Sequence, residues 1–475
     1  MMNISQNDYN VIKQRYMNRY LKLNILDFKY RTVNEISGNV ISCSVSVDAD
    51  SDLRRSCSIS IVVTDSSFDI QAGGQIWLDK MIQPYIGIEN IYTGKIQWYN
   101  QGIYLINAPT WQFDAVTNTL SFSGLDLMSK LTGVRNGQLE GIPTVIKQGE
   151  NVRSAMISTL TLGGFTKYVI SDCVNADGSV QTVPTDIEID QGGTVYDILS
   201  ALRDILPQYQ IYFDIDGVFH YDLIPSGEDA PVLVDDDIWK KILITESINT
   251  DFESVKNYIE VYGRSHDIDN YPSATSVSGS TVTLTIASLT QTTLAEFTMI
   301  GFTLSEAVSG NIKLSVNSYG AKNLVDSSGN IITSLSKNVY YVAQYQKNGT
   351  WLFMGHQQAQ AVYSDSNPDS PFYVNGSVGI IRKVCYGGDY DNIMSDELAL
   401  ERAKLEIYWA CRLNDTITLT TIPVPWLDVN IVISHAIKNS ETIDRYIVKS
   451  ISVDYGETGS MSITMAKFYP YYPII

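Results

Sequence analysis

Histidine is scarce in this chain: His220, His266, His356 and His435 are the four in 475 residues, none in HExxH or HxH spacing. Mechanisms that need an imidazole have little to draw on. The five cysteines, Cys43, Cys57, Cys173, Cys385 and Cys411, are odd in number and never in CxxC spacing. Neither a disulfide framework nor a zinc knuckle is expected from them, and small buried apolar residues are. No GxxxxGK[ST] or GxGxxG follows a strand, so Gly73-Gly74, Gly163-Gly164 and Gly192-Gly193 read as turns. No run of about 18 apolar residues is present, which excludes a helical membrane span. Met1–Ser5 leads into the polar stretch 8–22, without the apolar core of a secretory signal. Positive charge is also short. Lys and Arg number 33 against 52 Asp and Glu, a net charge of −19. Such a chain is poorly suited to gripping nucleic acid or an anionic membrane, and suits a channel that DNA must pass without sticking.

What is present is apolar and aromatic. Hydrophobic residues make up 44 % of the chain and tyrosine alone contributes 30 residues. That is material for about three domains of roughly 150 residues. A first helix is expected near the start, capped by Asn7 or Asp8, with Tyr9, Ile12, Tyr16 and Tyr20 at three- and four-residue spacing. Alternating strands follow at 20–26, 40–47, 57–63, 103–106 and 120–123, so residues 1–132 read as a small β-barrel or sandwich. Thr194 caps a helix with Val195, Ile198, Leu199, Leu202 and Ile205 on one face, ended by Pro207. Strands at 210–213 and 218–221 complete an α+β domain over 133–245. A strand at 255–263 opens the next unit. Residues 273–370 then turn rich in Ser, Thr, Gly and Asn, the mark of an inserted all-β module. After it, Ser395 caps a helix carrying Ala399, Ala403, Ile407 and Ala410, small residues that allow close packing on a sheet. Strands at 416–421, 429–434 and 446–453 close the chain.

Candidate chemistry is thin. Asp214-x-Asp216-Gly217 resembles the start of a calcium loop but lacks the later oxygen ligands, and a hairpin turn explains it. Cys385 or Cys411 with His435 forms no recognisable peptidase signature. Asp235-Asp236-Asp237 reads as a solvated turn at a helix start. We therefore assign no catalytic, metal or cofactor residue and expect no enzyme. The tyrosines and tryptophans suit protein interfaces, being apolar at one end and wet at the other. Tyr9, Tyr16 and Tyr20, near Lys13, Arg15 and Arg19, are the candidate interface residues.

The stretches 98–106 (WYNQGIYLI) and 120–131 (LSFSGLDLMSKL) resemble the first barrel of phage tail (baseplate) hub proteins. Residues 194–221 resemble that family's middle domain. Residues 252–264 and 395–432, including 423–429 (PVPWLDV), resemble its closing domain. Residues 310–322 and 340–355, ending GTWLFMG, resemble a β-module of phage tail fibres. The resemblance implies a mainly β (α+β) chain of two small hub-type β-barrels, an α+β middle domain and an inserted β-sandwich-like module. The expected limits are 1–132, 133–245, 246–270 with 376–475, and 271–375. It implies a non-enzymatic homotrimer, a pseudo-sixfold ring that adapts symmetry between the tail tube and the central spike and lines the DNA channel. The implied partners are a tail tube or distal tail protein above, and spike, tip, baseplate or wedge proteins below. The implied location is the virion tail, after synthesis in the host cytoplasm. The alternatives are a glycan-binding adhesion protein working through the insert, with Tyr345 and Trp351 against a cell-surface sugar, and a tail-associated hydrolase.

Overall fold

The computed structural model describes residues 4–468 except 115, 117, 141–143, 173–179, 184–185, 207–208, 225–228, 234–235, 291–292, 412–413, 438–441 and 457. Cys173, Pro207 and Asp235 lie outside the described residues. The chain is mainly β, as its alternating runs imply.

In the strands Val40–Asp48 and Arg55–Val62, Cys43, Val45, Val47, Cys57, Ile59 and Ile61 are buried while the intervening residues face outward or are half-buried. These two belong to a thirteen-stranded sheet. From one edge it runs Leu243–Asp251, Asn414–Thr421, Met461–Lys467, Asp444–Asp454, Val40–Asp48, Arg55–Val62, Asn118–Asp126, Tyr104–Phe113, Lys80–Asn90, Arg19–Asp27 and Thr32–Ser37. Val432–His435 and Lys95–Asn100 pair from the side. The seam between the chain's two ends is antiparallel, with Val47 opposite Ile451 and Val45 opposite Val453. One hydrophobic core serves both ends, taking Ile59, Ile86 and Leu120 from one and Ile417, Trp426 and Ile463 from the other. Strands expected in two separate barrels are thus joined in one open sheet, and the described pairings close none of the sheets into a barrel. The reason is local. Residues 44–47 and 450–453 both alternate small polar with apolar residues, so their facing edges satisfy each other's backbone groups and bury one continuous apolar face.

The middle region is α+β. Helix Val195–Asp204 starts at Thr194, whose Oγ1 accepts the Asp197 N–H while the Asp197 carboxylate accepts the Thr194 N–H. With helix Val152–Leu162, capped by Asn151 and absent from the sequence expectation, it covers the hairpin Tyr209–Phe213/Phe219–Leu223. In the next unit, Tyr258–Ser265 lies between Gln358–Ser364 (antiparallel) and Arg382–Tyr386 (parallel). Helix Asp396–Ala410, capped by Ser395, presses Ala399, Ala403 and Ile407 into that unit's core, all fully buried. The inserted module carries a seven-stranded sheet between Ala274 and His356 around a core of its own. Two residues after the module's last strand, Gln358–Ser364 already belongs to the neighbouring sheet.

Candidate functional site

The N-terminal segment departs from its expected form. Its helix covers only Gln6–Ile12 and is capped by Ser5, not by Asn7 or Asp8. Asp8 is instead the N3 residue. Its carboxylate accepts the Ser5 N–H (2.7 Å) and hydroxyl (2.6 Å), and also the Tyr99 hydroxyl (2.7 Å). The three tyrosines are not gathered on one helix face. Tyr9 packs edge-on against Trp426 of the C-terminal end, with ring centroids 5.2 Å apart. Tyr16 follows the helix and is 72 % exposed. Tyr20 sits in strand Arg19–Asp27, 41 % exposed, and donates to Glu89 Oε2 at 3.0 Å.

In the inserted module Tyr345 and Trp351 stand opposite each other on paired strands, ring centroids 5.3 Å apart. Trp351 is 0 % exposed and belongs to the module's core, so its indole offers no face to a sugar; that part of the glycan expectation is corrected by burial. The chain passes between module and body twice, and both passages are tied to residues 394–396. His266 on the outgoing segment is hydrogen-bonded through Nε2 to Met394 O at 2.6 Å. On the return, the Asp396 carboxylate accepts the His356 N–H (3.0 Å) and the Gln360 N–H (2.8 Å), and lies 2.7 Å from His356 Nδ1. Gly355 has φ +94°, and a Cβ there would meet Asp396 Oδ2 at 2.0 Å. Only glycine suits this close approach.

The seam of the large sheet holds a polar network that no sequence motif announces. Arg55 Nη2 donates to both carboxylate oxygens of Asp428 (2.7 and 2.6 Å), and the Arg55 N–H donates to Asp126 Oδ2. Burial alone would weaken the Arg55 charge, but the Asp428 carboxylate, together with Tyr104 and Asp126, more than offsets it. Burial pushes the fully enclosed Asp126 carboxyl up to about 6, against the hydrogen bonds from Met128 and Arg55. Beside them Gln101 Nε2 donates to Pro425 O (2.9 Å), and Tyr455 donates to Gln101 Oε1 (2.7 Å). Arg19 reaches across to Gly456 O and Gly459 O. Asp428 lies in the 423–429 stretch already singled out, but its partner stands 373 positions away.

Catalytic geometry is absent at the residues weighed for it. Cys411 Sγ faces Asp365, and His435 Nε2 faces Glu246 Oε2 at 2.5 Å, so the two do not form a pair. Burial raises the thiol pKa of Cys43, Cys57, Cys385 and Cys411, which leaves them poor nucleophiles. In the hairpin turn Asp214 Oδ1 accepts the Asp216 and Val218 N–H groups, and Gly217 has φ +71°. Its Oδ2 lies 3.0 Å from His220 Nε2, and Asp222 Oδ2 is 3.4 Å from the other ring nitrogen. Burial disfavours the imidazolium, yet these two carboxylates raise the His220 pKa to about 9. Among the described residues no three His, Cys, Asp or Glu side chains converge as a metal site.

Residues 369–472 match a family described as a domain of unknown function, DUF5048. No curated protein matches the chain. Among solved structures it is similar to a tail protein from Neisseria meningitidis MC58, at TM-score 0.52 and 10 % identity over 95 % of this chain and 98 % of that one. It is similar also to the 43 kDa tail protein of prophage MuSo2 from Shewanella oneidensis, at TM-score 0.51 and 10 % identity over 96 % and 100 % of the two chains. Over nearly all of its length, the chain has the fold of these tail proteins.

Proposed function

We propose that this chain is a structural subunit of a phage tail or a related injection machine, acting as a homotrimeric hub. The observation that carries the reading is the likeness in fold to tail proteins over nearly the whole of both chains. The large sheet supports the assembly part. Its outer strands, Thr32–Ser37 and Leu243–Asp251, have no further strand partner among the described residues. Ile244 and Ile248 are exposed on one of them and Val33 on the other. Open edges with apolar side chains call for cover by another chain. In this reading three copies close a ring. Each contributes two comparable halves, 1–132 and 246–270 with 376–475, so the ring presents pseudo-sixfold symmetry to a tail tube or distal tail protein. Its other face meets a spike or tip and the baseplate or wedge proteins. Tyr16 and Tyr20 contribute to the tube-facing contact, the inserted module, whose sheet spans residues 274–356, projects outward, and the surplus of acid lets DNA slide through the lumen. The subunit does no covalent chemistry and resides in the virion tail.

Light scattering across a concentration series tests the assembly. The expected species has three times the mass of the 52.9 kDa chain and dissociates on dilution. A monomer at every concentration refutes a self-sufficient ring.

A further inference from the structure

In a chain with a net charge of −19, one cavity has no acidic residue in its lining. It measures about 290 Å³ and lies where the 28–30 turn, the short helix Leu127–Lys130 and the 164–167 loop meet. Phe28, Tyr30 and Phe165 form its aromatic walls, and Lys29, Lys130 and Lys167 supply the charge. The Lys130 Nζ sits 4.4 Å from the Phe28 ring centre and 5.2 Å from that of Phe165, while the Lys167 Nζ lies 4.0 Å from that of Tyr30. Ring faces thus hold two of the ammonium groups in place, as cation–π contacts do. Among the described residues, Lys29, Lys130 and Lys167 have no carboxylate within ion-pair distance. The nearest acid in sequence, Asp27, is taken by Arg31 at 2.6 Å. Burial lowers the pKa of the half-buried Lys130, and no carboxylate among the described residues stands beside it to offset that cost.

We propose that this pocket receives an acidic side chain presented by a polypeptide segment of a neighbouring protein. Charge complementarity argues for a carboxylate, and the aromatic walls for the methylene stem behind it. A free inorganic phosphate would meet the same lysines but sheds its water against aromatic walls for which it has no apolar stem. Lysine suits the task because it acts as a point charge on a flexible stem and needs no planar bidentate partner. The inference is independent of the ring reading, since it holds for the isolated chain.

The test is fluorescence anisotropy of a labelled hexaglutamate peptide with the full-length protein. Binding is expected to weaken with added salt and to fall about tenfold or more in the Lys130→Met/Lys167→Met variant, a loss of about 1.4 kcal/mol or more. Methionine keeps the stem, and an unchanged thermal melt shows that the variant folds. Lys449→Met removes a lysine already paired with Asp50 outside this pocket and should bind as the parent does. Equal affinity in the double variant overturns the proposal, as does the absence of any peptide binding at low salt.

Discussion

The large sheet and the inserted module solve the same problem in opposite ways. Both are all-β and both bury an apolar core, but the module draws its core from one uninterrupted stretch, Val282 to Trp351. The sheet draws on strands from each end of the chain and meets itself at the Val47–Ile451 seam. Contacts close in sequence cost little loop entropy, whereas the seam must bring together residues some 400 positions apart. The module should therefore unfold as a separable unit, and the seam should be the last part of the body to form.

The sharpest way to break this contrast is to damage each core by itself. Trp351→Ala removes a fully buried indole and should cost the module about 3–5 kcal/mol. Denaturant unfolding followed by hydrogen exchange should show residues 274–356 losing protection first, with the large sheet unchanged. Loss of both together would mean a single cooperative unit. Arg55→Ala is the mirror experiment. It leaves Asp428 without its partner at the seam and should cost about 3 kcal/mol in the sheet while the module keeps its protection.

A smaller effect is expected at the joint between the two regions. Gly355→Ala adds a Cβ into the Asp396 carboxylate at a backbone angle that L residues rarely adopt, for about 1–3 kcal/mol. Limited proteolysis should open the chain near residues 356–358 while both cores survive. The smallest effect belongs to the middle region. The His220 pKa is raised to about 9, so its bonds to Asp214 and Asp222 stabilise the hairpin fully below about pH 6.5. That stability fades as pH rises through about 9. An NMR titration should place the His220 midpoint near there, and His220→Gln should remove the alkaline loss; a midpoint near 6.5 would refute it.

Much of the fold was legible in the residues, element by element. The Thr194 and Ser395 caps begin helices where the sequence places them, because a cap is satisfied within four residues. The strands around Val45, Ile59 and Phe122 follow their own alternation. At the N-terminus two periods compete: Tyr9, Ile12, Tyr16 and Tyr20 fit a helical one, while 20–26 also fits period two. Pairing with Lys80–Asn90, which sets Tyr20 opposite Gly87, decides in favour of the strand.

The sequence by itself determined the local choices: which residues turn, which alternate, and where a module of different composition interrupts the chain. The tertiary structure alone decided which strand edges meet, that Arg55 answers Asp428, that Trp351 faces inward, and that three lysines surround a cavity without acid. Local choices are set by neighbours within a few residues. Edges, ion pairs and cavities depend on partners that only the folded chain brings together.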